Sequence, residues 1–124
     1  MITQIYEVQN IDEAKKLVEI GVDNIGVLVG IKNEWPGELS PEQANNVLSG
    51  VTKPAKKVVL SLSNSFEDIM EIAGRTNSDI LHLAAEPTSI SPDNVQAIKT
   101  KFPNIKIMRT IPVENIGCVE LAKD

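Results

Sequence analysis

The stretch KKVVLSLSNSFEDIMEI, residues Lys56–Ile72, contains one complete strand–helix unit. Val58–Leu62 (VVLSL) is predicted to be a strand, the third in the chain. Ser65 follows with Asp68 three residues later, and this pattern favours the start of a helix. Apolar residues then recur at helical spacing, namely Phe66, Ile69, Met70 and Ala73. A strand followed directly by an amphipathic helix is the building block of parallel α/β folds.

The same unit recurs on both sides of this stretch. Alternating or continuous apolar runs predict five strands, at Ile2–Val8, Asn24–Val29, Val58–Leu62, Asp79–Leu83 and Ile105–Ile111. Helices are predicted to begin after Asn10, Ser40, Ser65 and Ser91, and a short fifth helix is expected over Asn115–Lys123. The strand and the helix therefore alternate along the whole chain.

Three helix boundaries carry specific chemistry. Ser40-Pro41-Glu42-Gln43 combines a capping serine, a proline at the first helical position and a capping-box glutamine. Asn10 offers a cap with Glu13 three residues later, and Gly21 is suited to end the helix predicted over Ile11–Ile20. Gly30–Leu39, between strand 2 and helix 2, is predicted to be a longer loop.

Regular alternation of strands and helices predicts a parallel sheet or barrel. A (β/α)8 barrel typically needs about 250 residues, whereas this chain has 124. The predicted fold class is therefore α/β, a partial TIM barrel of about five parallel strands with four to five helices, formed by residues 1–124 as one half-barrel-like domain. A flavodoxin-like doubly wound sheet, with strand order 2-1-3-4-5 instead of 1-2-3-4-5, is the alternative.

Composition excludes several classes of partner. The net charge of −5 and the pI near 4.9 argue against a nucleic-acid partner, because binding a phosphate backbone requires clustered Lys and Arg. No signal peptide is visible and no apolar run approaches the roughly 18 residues of a membrane span. The single cysteine, Cys118, excludes an internal disulfide framework and suits a reducing compartment. We therefore expect a cytoplasmic protein without a membrane partner.

Chemistry in parallel βα folds lies at the carboxyl ends of the strands. The candidate site residues there are Glu7, Asn64, His82, Glu86 and Arg109. Glu7 is the candidate catalytic residue, acting as a general base if burial raised its pKa. The other four are candidate substrate-binding residues, and together they suit a small anionic ligand.

Three of the candidates also have a structural interpretation. Glu7 can be a solvated carboxylate at a strand end, and His82, between Leu81 and Leu83, can be a hydrogen-bonded core residue. Arg109 can form an internal ion pair with Glu7 or Glu86. A single histidine does not make a metal site, and nucleotide-binding glycine motifs are absent, so no metal or cofactor is expected.

Four stretches resemble phosphoribosylanthranilate isomerase, a (β/α)8 enzyme of tryptophan biosynthesis. They are NIDEAKKLVEIGVDNIGVLV (Asn10–Val29), LSPEQANNVLSGV (Leu39–Val51), KKVVLSLSNSFEDIMEI (Lys56–Ile72) and SDILHLAAE (Ser78–Glu86). The resemblance covers the first five of the family's eight units. It implies a TIM-barrel fold, an isomerase that performs an Amadori rearrangement as an intramolecular oxidoreductase, and a sugar-phosphate ligand.

The departures from the family's pattern concern its chemistry. The family's K-x-C-G, whose Cys is the general base, aligns with Gln4, Tyr6 and Glu7, so that Cys is absent here. The family's strand 4 Gln and His align with His82 and Ala84. The resemblance places the general acid on strand 6 and the phosphate loops after strands 7 and 8. We therefore expect a truncated or degenerate isomerase that is inactive as this chain alone.

A non-catalytic ligand-binding or assembly domain derived from a TIM barrel is the alternative function. Five parallel strands leave open edges at strands 1 and 5, and exposed edges invite pairing. A homodimer, or another self-association through those edges, is therefore expected. A sugar-phosphate epimerase is a third candidate, and it would need the same phosphate loops.

Overall fold

The computed structural model describes residues 1–123, in which five strands alternate with five helices. The strands are β1 (Gln4–Ile5), β2 (Asn24–Leu28), β3 (Lys56–Ser61), β4 (Ile80–Leu83) and β5 (Lys106–Arg109). The helices are α1 (Ile11–Glu19), α2 (Pro41–Leu48), α3 (Phe66–Arg75), α4 (Pro92–Lys101) and α5 (Cys118–Ala122). None of these helices is long and apolar enough to cross a membrane.

The strands form one parallel sheet in the order β1-β2-β3-β4-β5. Each strand pairs with the next one in the chain, for example Gly26 with Val58 and His82 with Met108. This order is that of a TIM barrel, and the predicted α/β partial barrel is confirmed. The flavodoxin-like alternative is wrong, because it requires β1 to lie between β2 and β3.

The two faces of the sheet bury different residues, as the two-residue period of a strand requires. One face packs under the helices, where Ile25, Val27, Val59 and Leu81 join the main core with residues such as Ala14 and Ile69. Leu28, Val58 and Leu60, which alternate with these positions, are also buried but lie outside that cluster. They belong to the inner face, which would line the interior of a barrel.

Local chemistry accounts for the four longer helices. Asn10 accepts a hydrogen bond from the Glu13 amide at the start of α1, and Ser65 does the same for Asp68 at α3. Ser40 and Gln43 form the predicted capping box of α2. Ser91 and Asn94 form a second box at α4. Each box satisfies two amides that the first helical turn leaves unpaired.

The chain's two ends differ from the predicted elements. The sequence predicts strand 1 over Ile2–Val8, but β1 is only Gln4–Ile5. Glu7, with φ 57°, turns the backbone out of the extended conformation, and β1 has a partner on one side only. The fifth helix is Cys118–Ala122, shorter than the predicted Asn115–Lys123, because Gly117 supplies no side-chain cap and the helix buries no residue. Asp124 lies outside the described residues.

Candidate functional site

The parallel sheet brings all five predicted site residues to its carboxyl edge. His82 lies within β4 and Arg109 ends β5. Glu7, Asn64 and Glu86 lie in the loops that follow β1, β3 and β4, and all three are exposed. The edge therefore carries the predicted groups, but only His82 among them is buried.

His82 is the centre of a hydrogen-bonded cluster on the inner face. Its Nδ1 lies 2.7 Å from the hydroxyl oxygen of Tyr6, and its Nε2 lies 2.8 Å from Oγ1 of Thr110. The Tyr6 and His82 rings are 5.5 Å apart between centroids and tilted by 46°. Both nitrogens of the imidazole therefore have a hydroxyl partner. We call Tyr6, His82 and Thr110 the inner-face cluster.

The inner-face cluster shows that the sheet is strongly curved. Neighbouring strands are about 4.8 Å apart, so β1 and β4 would be separated by about 14 Å in a flat sheet. Tyr6, just after β1, nevertheless reaches His82 on β4. The sheet therefore bends around its inner face, as the wall of a barrel does.

Burial sets the protonation state of the cluster. It lowers the pKa of His82 from its ordinary value of 6.5 and raises the pKa of Tyr6 above its ordinary value of 10.0. Both side chains are consequently neutral at neutral pH. A neutral imidazole has one donor nitrogen and one acceptor nitrogen, which matches one hydroxyl that donates and one that accepts.

Arg109 contacts backbone carbonyls. One of its guanidinium nitrogens donates to the carbonyl oxygens of Pro87, at 2.6 Å, and Ile90, at 3.2 Å. It pairs in register with Leu83, whose side chain packs in the main core under the helices. Arg109 is thereby placed on the outer face of the sheet and holds the loop between β4 and α4.

The three exposed residues are not joined to His82. Within residues 1–123, the ion pairs are Lys32–Asp68, Arg75–Glu42, Arg75–Glu71 and Lys123–Glu120. The alternative interpretation of Arg109, an internal ion pair with Glu7 or Glu86, is thus wrong for the described residues. Glu86 instead lines an open cleft of about 360 Å³ beside α5, together with Thr88, Glu114 and Cys118. Residues 1–123 contain no group of three histidine, cysteine, aspartate or glutamate side chains that could hold a metal ion.

Tyr6 and Thr110 are the residues of this cluster that were missing from the candidate site. Tyr6 aligns with the family's catalytic Cys, and Thr110 lies near the end of the strand predicted over Ile105–Ile111. Their contacts with His82 span 76 and 28 residues of sequence. No local pattern reports a pairing over such a distance.

A curved parallel sheet in consecutive order, with polar groups at its carboxyl edge, defines the class of (βα)-barrel proteins. Similar solved structures are phosphoribosylanthranilate isomerases. One, bound to reduced 1-(o-carboxyphenylamino)-1-deoxyribulose 5-phosphate, is 21% identical over 98% of this chain and 59% of its own, with a TM-score of 0.78. The enzyme from Thermotoga maritima matches at 21% identity over 98% of this chain and 56% of its own, also with a TM-score of 0.78.

The isomerase from Thermus thermophilus is similar as well, with 14% identity, a TM-score of 0.75, and coverage of 93% of this chain and 54% of its own. At such identities the likeness establishes the fold, and the partial TIM-barrel fold implied by the sequence resemblance is confirmed. The chain spans less than three fifths of the length of these three enzymes. No protein-family model and no curated protein matches the sequence.

Proposed function

We propose that this chain is a phosphoribosylanthranilate isomerase-like barrel domain that does not catalyse the Amadori rearrangement by itself. The observation that carries the proposal is the inner-face cluster. Tyr6 occupies the position that the resemblance assigns to the general base, and its hydroxyl is bonded to His82. Since burial raises the pKa of Tyr6, this phenol is a poor base at neutral pH.

The position of the general acid is the second reason for proposing that the chain is inactive. The rearrangement needs a general acid and a general base on opposite sides of one substrate. The resemblance places that acid on strand 6, whereas the described residues form five strands. Glu7 stays the candidate replacement base, because it follows β1 at the same edge.

The carboxyl edge is the proposed binding surface for a small anionic or sugar-phosphate ligand. Asn64, His82 and Glu86 offer hydrogen-bonding groups there, and Arg109 offers positive charge. Arg109 already serves two carbonyls, so an anion would have to approach its remaining donors. This part of the proposal is in line with the sugar-phosphate analogue carried by one of the similar enzymes.

Two measurements test the proposal. The purified chain is incubated with phosphoribosylanthranilate, with the Thermotoga maritima isomerase as the positive control, and the product is quantified by chromatography. We expect no conversion above the uncatalysed rate, and turnover that is lost on Glu7→Gln would overturn the claim of inactivity.

Ribose 5-phosphate is then titrated in an NMR experiment. We expect shifts confined to the carboxyl edge, and a spectrum without shifts would remove the ligand-binding role.

An assembly domain is the second candidate function, and exposed apolar residues near both open edges favour it. Ile2 and Ile5 are exposed near the β1 edge, and Val113 and Ile116 are exposed after β5. Edges of this kind pair readily with another chain. A homodimer of one-domain chains in the cytoplasm would be the simplest form of this function.

A further inference from the structure

The Tyr6 ring lies directly on the backbone of β2. A Cβ atom placed on Gly26 would be 3.2 Å from Cδ1 of Tyr6 and 3.5 Å from Cβ of Val58. Such a distance to the ring is tighter than an ordinary van der Waals contact, so a side chain at position 26 would push the ring away. Because Gly26 has no side chain, the inner face has a shallow space at this position, and a flat ring fits into it.

One end of this space is lined by a side chain that hydrogen-bonds a hydroxyl group. His82 is 8% exposed, and its Nδ1 meets the Tyr6 hydroxyl at 2.7 Å. Thr110 holds the opposite ring nitrogen at 2.8 Å, which fixes the orientation of the imidazole. Leu60 and Met108, the register neighbours of His82 on β3 and β5, carry no charge, and Tyr6 is the titratable side chain in contact with it.

The side chain that fills this space belongs to a short segment at the edge of the sheet. Tyr6 follows β1, which pairs with β2 through only two residues, and the next anchor of the chain is the buried Val8, whose amide donates to the Gly26 carbonyl at 3.1 Å. Glu7, the next residue, has φ 57°, a conformation that is unfavourable for a residue with a Cβ. The Tyr6 side chain is itself 38% exposed. Short edge segments of this kind open at a lower free-energy cost than the core strands.

From these three observations we infer that the space between Gly26 and His82 is a ligand site which the chain's own Tyr6 fills. Its ligand is a ring-shaped molecule with a hydroxyl group, which replaces the Tyr6 ring on Gly26 and the Tyr6 hydroxyl at His82. This inference rests on the proposed function only in placing a ligand at the carboxyl edge. It adds the chemical class of the ligand and the side chain that has to leave.

The test empties the site by Tyr6→Ala and refills it with phenol. His82 is the only histidine, so its imidazole gives a single set of NMR signals. We expect phenol to move these signals saturably and to raise the Tm of the variant, because a ligand that binds only the native state stabilises it. If Tyr6→Ala is unfolded on its own, phenol should restore its helical circular dichroism for the same reason.

Wild type and Tyr6→Phe are the matched controls, since each keeps a ring on Gly26. Their affinity for phenol should be at least about tenfold weaker than that of Tyr6→Ala. Equal phenol-induced shifts in all three proteins would overturn the inference. A folded Tyr6→Ala variant whose His82 signals do not move when phenol is added would also overturn it. So would an unfolded Tyr6→Ala that phenol does not refold. None of these outcomes bears on the ribose 5-phosphate titration of the wild type, so the two proposals fail separately.

Discussion

Glu7 is the clearest case of a residue whose side chain disfavours its own backbone conformation. Its φ of 57° lies in the left-handed region, and the resemblance places a Gly at this position. A left-handed conformation costs a residue with a Cβ about 1–2 kcal/mol, while glycine loses about 0.5–1 kcal/mol of backbone entropy on folding. Glu7→Gly should therefore stabilise the chain by about 0.5–1 kcal/mol, measured by urea unfolding followed through Trp35 fluorescence.

Asn33 provides the control for this measurement. It has a similar φ of 54°, but asparagine tolerates the left-handed region because its short side chain bonds locally. Asn33→Gly should change the free energy of unfolding less than Glu7→Gly does. A Glu7→Gly variant that is less stable than the wild type would show that the Glu7 side chain contributes more than its backbone costs.

The buried imidazole of His82 makes stability depend on pH. Because burial lowers its pKa from 6.5, the unfolded chain takes up a proton at a higher pH than the native chain does. Below that pH the unfolded state binds more protons, so the free energy of unfolding decreases as the pH falls. The slope cannot exceed about 1.4 kcal/mol per pH unit for one proton. Urea midpoints measured between about pH 7 and about pH 5 should show this loss.

His82→Gln removes the titrating group while keeping a side chain that can bond a hydroxyl. Its stability should change less than that of the wild type over the same range. Asp23 does not add to the pH dependence in this range. Hydrogen bonds from Thr3 lower the pKa of its carboxyl, so its contribution to the free energy of unfolding is lost only under more acidic conditions. Equal pH dependence in both proteins would mean that His82 titrates alike in the native and unfolded states.

Individual residues differed in how far the sequence could predict them. The position of His82 at the carboxyl edge followed from its place in the DILHL run. Its partner Tyr6 did not, because the bend of the sheet, rather than any local spacing, brings the two together over 76 residues. The outward placement of Arg109 likewise depends on strand register, and a one-residue slip would reverse it.

At the level of elements, the start of α2 depends on the capping box of Ser40. The Ser40 hydroxyl accepts a hydrogen bond from the Gln43 amide, and the Gln43 side chain accepts one from the Ser40 amide. Ser40→Ala removes the first of these bonds and should destabilise the chain by about 1 kcal/mol. Ser49→Ala is the control at the other end of α2, where the hydroxyl donates only to the nearby Asn46 carbonyl. Thermal unfolding should separate the two variants, and equal Tm values would argue against the cap.

The loop between β4 and α4 depends on Arg109. Arg109→Met keeps much of the aliphatic length and removes the hydrogen bonds to Pro87 and Ile90. Hydrogen bonds from charged donors contribute about 1.5–3 kcal/mol, so hydrogen exchange should become faster in the segment that contains these two residues. Unchanged exchange combined with loss of ribose 5-phosphate binding would instead favour an anion-binding role for Arg109.

Elements were more predictable at their starts than at their ends. Ser40-Pro41 and Ser91-Pro92 fix the first residue of a helix through contacts within four residues, so the sequence contains all the chemistry required. β1 ends early because it is an edge strand followed by a left-handed residue. The apolar alternation of Ile2–Val8 carries no information about either cause.

For the whole molecule, the strand order required more than periodicity. Alternating strands and helices are equally compatible with a barrel and with a doubly wound sheet. The resemblance of Leu39–Val51 and the other stretches to a barrel family favoured the barrel, and the observed order confirms it. The inner-face cluster then shows that five strands suffice to produce the curvature of a barrel wall.

The open edges of this curved sheet lead to a prediction about assembly. β1 and β5 each pair with a single neighbour, and Ile5 on β1 is 42% exposed. An exposed apolar edge strand is a template for pairing, and a lysine on such an edge blocks it. Light scattering during size-exclusion chromatography should therefore give the mass of a dimer for the wild type and of a monomer for Ile5→Lys. Ile20→Lys is the control, because Ile20 is 76% exposed, follows α1 and belongs to neither edge strand, and this variant should stay dimeric. A monomeric wild type would mean that the open edges do not pair with a second copy, and the assembly function would then be ruled out.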